Sequence, residues 1–175
     1  MKRTLFWPLG ILLGVAIACT QKSTDEMVVL KTYPMTGSLD VLSQDLVQLD
    51  NAISSDGNGA ARVHVDGPTT IRLYETGDLD IEQARIIYEA KLRTEAVEGP
   101  VYLEMWCSVP GKGEFFSRAL QSPLTGTTEW TSQQTPFFLK KGENPDNVKL
   151  NLVVGGKGTV WIDDVKLTKG PLGDV

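Results

Sequence analysis

From Ser54 onward the chain is a succession of short segments in which apolar and polar residues alternate, each closed by Gly, Pro or Asn. That pattern is the signature of half-buried strands joined by turns. In residues 84–94, Ile86, Tyr88, Ala90 and Leu92 share one face while Arg85, Glu89, Lys91 and Arg93 share the other. In residues 101–109, Val101, Leu103, Met105, Cys107 and Val109 form a continuous apolar face, and Tyr102, Glu104, Trp106 and Ser108 the opposite one. Further strands are expected over 61–65, 70–75, 114–120, 129–139, 147–154 and 159–168. They are divided by Asp56-Gly-Asn-Gly59, Gly99-Pro100, Pro110-Gly-Lys-Gly113 and the stretches 123–128, 142–146 and 155–158. Earlier, Leu39, Leu42, Leu46, Leu49 and Ile53 fit a helical spacing that Ser38 would cap; only a short helical turn is expected there, followed by a strand around 46–49. About nine short strands and no long helix predict an all-β fold, a β-sandwich whose ordered part begins near Met27.

The first residues carry a different signal. Lys2 and Arg3 precede an apolar run from Leu5 to Ala18, shorter than the roughly 20 residues a membrane span needs. Ala16-Ile17-Ala18-Cys19 follows, and it resembles the lipobox of bacterial lipoproteins. The resemblance implies cleavage before Cys19 and lipidation of its sulfur, so that residues 1–18 are a signal peptide, 19–27 the lipidated cysteine and a polar tether, and 28–170 the β-sandwich domain. It places the protein on a cell membrane by a lipid anchor. Thr20, where an aspartate would argue for inner-membrane retention, favours the outer membrane in a Gram-negative host. An ordinary secretory signal with an incidental Cys19 is the plainer alternative.

Removal of residues 1–18 would leave 157 of the 175 residues and take away Lys2 and Arg3, moving the net charge from −5 to −7. A chain of that size buries a full core. Its acidity argues against a nucleic-acid partner and against charge-driven attraction to anionic lipid. With Cys19 acylated, Cys107 is the one remaining thiol, so stability rests on packing rather than on an internal disulfide.

Gly158-Thr-Val-Trp-Ile-Asp-Asp-Val-Lys-Leu167, preceded by residues 148–156, resembles the closing hairpin of the jelly-roll domains found in carbohydrate-binding modules and galactose-binding-like domains. Residues 55–63 resemble their early glycine turn, 84–93 their central strand and Thr127-Thr-Glu-Trp130 their late tryptophan strand. The resemblance spans roughly Asn51 to Leu167 and implies a jelly-roll β-sandwich of about nine strands. No cofactor is required by it. A structural calcium is the one metal it admits, with Asp164 of the Asp163-Asp164 pair as a ligand, although the phenylalanine–glutamate pair that accompanies such sites is missing. The other reading makes Asp163-Asp164 a β-bulge between the inward pairs Val160/Ile162 and Val165/Leu167, with both carboxylates accepting backbone hydrogen bonds.

Catalysis has little to stand on. His64, the single histidine, alternates with Val63 and Val65 and is expected to point outward. Gly155-Gly-Lys-Gly-Thr159 lacks phosphate-loop spacing and is read as a hairpin turn. Paired carboxylates such as Glu89 and Glu104 have no separation set by the sequence. The chain is therefore read as a non-enzyme. Binding has better candidates: Tyr102, Glu104 and Trp106 put aromatic rings beside a carboxylate, the combination sugars require, and neighbouring strands are expected to add Arg118 and Asn151, with Glu89 and Arg93 as further contributors. Trp130 and Trp161 are read as structural, and Phe115, Phe116, Phe137 and Phe138 as core or sandwich-edge residues. Two functions remain open, a membrane-anchored glycan-binding module for polysaccharide or cell-envelope sugar, and a structural lipoprotein that meets an envelope protein with the same face.

Overall fold

A computed structural model describes residues 26–173; the lipobox at 16–19 and most of the tether lie outside them. Nine strands follow in chain order: β1 (Val28–Tyr33), β2 (Val47–Asp50), β3 (Ala60–Val65), β4 (Thr69–Thr76), β5 (Ala84–Val109), β6 (Gly113–Arg118), β7 (Leu124–Leu139), β8 (Asn147–Val154) and β9 (Gly158–Pro171). The fold is an all-β jelly-roll sandwich. One layer runs β2-β3-β9, then the first half of β5, then β7, with β1 also on β9; the other runs β4-β8, the second half of β5, then β6. Ahead of β2, a single 3-10 turn, Gln44–Leu46, has Ser43 and not Ser38 at its N-cap position, with no capping bond from the Ser43 hydroxyl, which accepts the Arg72 N–H at 3.0 Å instead. The five leucine and isoleucine positions thus yield one turn and a strand, because pairing β2 to β3 hydrogen-bonds a backbone that an isolated short helix would leave open.

The alternating faces lie as the sequence predicts. Ile86, Tyr88 and Leu92 from one layer meet Leu103, Met105 and Cys107 from the other, all fully buried, together with Leu150, Leu152, Val160 and Ile162. Each of the Val, Leu, Ile and Met side chains among them contributes about 1.5–3 kcal/mol by leaving water.

Three stretches expected to be turns are built differently. Gly99-Pro100 does not end a strand: β5 continues through it, bending from one layer into the other with Ala96 and Gly99 at φ 50° and 91°. β7 bends beside it from Leu124, so the turn expected over 123–128 is already mostly strand. Residues 155–158 are likewise no hairpin, since β8 pairs with β4 and β5 whereas β9 pairs with β1, β3 and the other half of β5. The segment crosses between layers against the bend in β5, held by Gly155 N–H to the Pro100 carbonyl at 2.7 Å and Glu98 N–H to the Lys157 carbonyl at 2.8 Å. A Cβ on Gly156 would land on the Glu98 carbonyl oxygen, which is why glycine stands there. The Asp56–Gly59 signal falls in a longer loop over residues 51–59, where Asp56 Oδ1 accepts the Asn58 N–H at 2.8 Å.

Candidate functional site

The outer face of the β4-β8-β5-β6 layer is built in rungs. Opposed residues of an antiparallel ladder point to the same side, so the register alone assembles the face. One rung reads Arg118, Glu104, Asn151, Arg72, from β6 to β4. The next reads Phe116, Trp106, Lys149, Glu75. On the other side of Glu104, Tyr102 stands with Val153 and Thr70. Five residues expected from the sequence, Tyr102, Glu104, Trp106, Arg118 and Asn151, are therefore on one surface.

Glu104 is its keystone. It is 5% exposed; its Oε2 accepts Arg118 Nε at 2.6 Å and its Oε1 accepts Asn151 Nδ2 at 3.1 Å. Burial pushes the carboxyl up, but Trp106, Arg118 and Asn151 outweigh it and hold the group below the ordinary glutamate value. With both oxygens engaged, Glu104 is a positioning group that sets Arg118 and Asn151, rather than a free acceptor for a ligand. Arg118 in turn lies 4.4 Å over the Phe116 ring, and Phe116 meets Trp106 with centroids 5.0 Å apart at 47°. Along the same face Glu114 bonds Lys149 and accepts the Ser108 hydroxyl at 2.9 Å. The result is an aromatic platform of Trp106 and Phe116, with half-buried Tyr102 beyond the keystone rung, flanked by prearranged guanidinium, ammonium and amide groups.

Phe116 and Lys149 were missed. For Phe116 the signal was present, since it stands two residues before Arg118 and a period-two strand puts both on one side. Phe115, Phe116 and Phe138, read as core or edge, are edge residues that are 45%, 51% and 43% exposed. Glu89 and Arg93 belong to the outer face of the other layer, where Glu89 meets Lys166 at 3.0 Å and Arg93 lies 5.6 Å from Trp161. Trp161 is buried on that outer face rather than in the core, between Arg93 and Arg62, with its indole N–H donating to Asp50 at 2.9 Å. His64 is exposed there as well, 2.9 Å from the Thr159 hydroxyl.

Asp163 and Asp164 form the expected bulge, opposite the register shift between Glu89 and Lys91, with Asp164 at φ 52°. Asp163 accepts the Ser55 and Asp164 N–H groups at 2.8 Å, and Asp164 pairs with Lys91 Nζ at 2.7 Å. These residues do not fit a calcium site. A lysine ammonium stands where the cation would, and among the described residues no three acidic, His or Cys side chains gather as a metal-binding group.

No family model matches the sequence, and no curated protein does. Solved structures do share the fold. The CBM22-1 xylan-binding domain of Paenibacillus barcinonensis Xyn10C superposes with a TM-score of 0.57 at 11% identity, over 82% of this chain and 95% of that one. The CBM22-1 and GH10 modules of Clostridium thermocellum endo-1,4-beta-D-xylanase 10B, complexed with xylohexaose, give 0.60 at 12% identity, over 81% of this chain and 28% of that one. A family 16 carbohydrate-binding module gives 0.57 at 11% identity, over 79% and 98%. The structural neighbours of this sandwich are thus carbohydrate-binding-module jelly rolls, a likeness of fold.

Proposed function

We propose that this protein is a non-catalytic, glycan-binding lipoprotein of the cell envelope, held in the membrane through Cys19, with residues 28–170 as its binding domain. The observation that carries the binding reading is the Trp106–Phe116 pair beside the Glu104–Arg118–Asn151 rung on one sheet face. Aromatic rings stack on the apolar faces of pyranose rings while fixed N–H donors meet their hydroxyls. The xylan-binding neighbours of the same fold support it. The anchor rests on Ala16–Cys19 and on Thr20, which points to the outer membrane if there is one.

Internal pairing of charges across the face, Arg118 with Glu104 and Lys149 with Glu114, favours as a second reading an envelope protein partner that needs no directed hydroxyl contacts. Titration with soluble xylan, β-glucan, galactan and mannan separates the two. Binding by the wild type, weakened in Trp106→Ala, is expected; no binding across the panel leaves the protein partner. For the anchor, mass spectrometry of protein made in a bacterial host should find Cys19 N-terminal and lipid-modified, and Cys19→Ser should be released in soluble form. A soluble wild type with an unmodified N-terminus elsewhere overturns it.

A further inference from the structure

The platform ends on the β6 side at Phe116 and Arg118, and both also line a groove of about 660 Å³ between β6 and β7. The groove is firmly built. The Ser117 hydroxyl donates to the Pro136 carbonyl and takes the Thr135 hydroxyl hydrogen, each at 2.6 Å, which ties β6 to β7. Gln133, 3% exposed, accepts the Leu103 N–H at 2.7 Å and donates to the Ser122 carbonyl at 2.8 Å, which pins the loop after β6.

What the groove offers is specific. Phe116 and Phe138 expose aromatic surface at either side. Gln121 and Gln134 also line it, and among the described residues neither amide is spent on a protein partner. Each amide carries a donor and an acceptor, the complement of two adjacent hydroxyls. Among the described residues no carboxylate lines the groove, and the one cation there, Arg118, is already matched by Glu104 at 2.6 Å. Phe138 and Gln134 point the same way along β7, four residues and so about 13 Å apart, a length that holds more than one sugar ring.

From this continuity and chemistry we infer that the groove is a second glycan-binding surface, which takes a neutral polysaccharide chain onward from the platform. The inference rests on the platform reading for its occupant. Phe138 and Gln134 stand on the outer face of the other layer, opposite Arg85 and Glu89, so a chain lying on Trp106 and Phe116 reaches them by crossing the β6–β7 edge through the groove, where its uncharged rings meet rings and amides rather than an unbalanced charge.

Calorimetry with the same four polysaccharides, with polygalacturonate as a charged comparison, and with tri- and hexasaccharides of whichever binds, tests it. In the double variant Phe138→Ala, Gln134→Ala, hexasaccharide affinity should fall about tenfold, the scale of a lost aromatic contact, while trisaccharide affinity stays within about twofold. Both side chains are exposed, so the melting temperature should hold. Binding should also be insensitive to salt. Loss in Trp106→Ala with full hexasaccharide affinity in the double variant overturns the groove and keeps the platform. Loss in the double variant alone keeps the groove and overturns its continuity with the platform. Preference for polygalacturonate that fades with salt overturns the neutral ligand, and no binding by the wild type overturns groove and platform together.

Discussion

Arg118 on β6 donates to Glu104 on β5 at 2.6 Å, a pair in which the carboxylate side chain is 6% exposed and the guanidinium 35%. That asymmetry decides what each residue does. The buried member is already satisfied inside the protein, and the half-open member is held in place over Phe116.

Glu104 should give stability a pH dependence. Its folded pKa is held below the ordinary value of 4.5, so the stabilisation is complete above that value and is lost as pH falls through the lower, folded one. Glu104→Gln should destabilise by about 1–3 kcal/mol at pH 7, less than a fully enclosed pair because Arg118 is partly solvated. Urea unfolding from pH 7 down to pH 3 checks this: the gap between the two proteins should narrow below about pH 4.5. A gap that stays constant would show that Glu104 acts only by its shape.

Trp106 and Trp161 should separate recognition from packing. Trp161, 3% exposed between two arginines and bonded to Asp50, should cost about 3–5 kcal/mol when changed to alanine. Trp106→Ala removes a half-buried ring that also helps hold the Glu104 carboxylate, and should cost clearly less stability, about 1 kcal/mol, while weakening glycan binding by about 1–3 kcal/mol. Thermal melts of both variants, beside a binding titration of Trp106→Ala, make the comparison. Equal destabilisation by both would assign Trp106 to packing.

Cys107 should be inert while the protein is folded. It is fully buried in the core, and burial pushes its thiol up to about 12, so almost no thiolate is present at neutral pH. A thiol reagent should label it only at the rate of unfolding, and rapidly in denaturant. Fast native labelling would mean the second half of β5 presents the opposite face.

Gly156→Ala should be far more damaging than Gly111→Ala. The first places a Cβ on the Glu98 carbonyl where both layers exchange strands, whereas the second meets nothing within 4 Å and suffers only from its φ of 72°. Losses of more than about 3 kcal/mol and of about 1 kcal/mol are expected, read by chemical denaturation. Comparable values would show that the crossover relaxes freely.

Period-two alternation in the sequence determined the strand faces, because a residue's side of a strand depends only on its neighbours along the chain. Val101 to Val109 went inward and Tyr102 to Trp106 outward on that ground alone. The bulge at Asp163-Asp164 was legible for the same reason, as a break in the alternation. Which strands lie side by side is a long-range property, and there the local signal ran out. Gly155–Gly158 has the composition of a hairpin, yet its glycines serve the close passage of two crossing segments that only the folded chain brings together. Glu89 and Arg93 have the right side-chain chemistry for the platform, but sit before the bend in β5 and so on the other layer. Tertiary structure likewise decided that Glu104 is enclosed by its neighbours, since burial of a charge depends on partners contributed by β6 and β8 and not on its own strand.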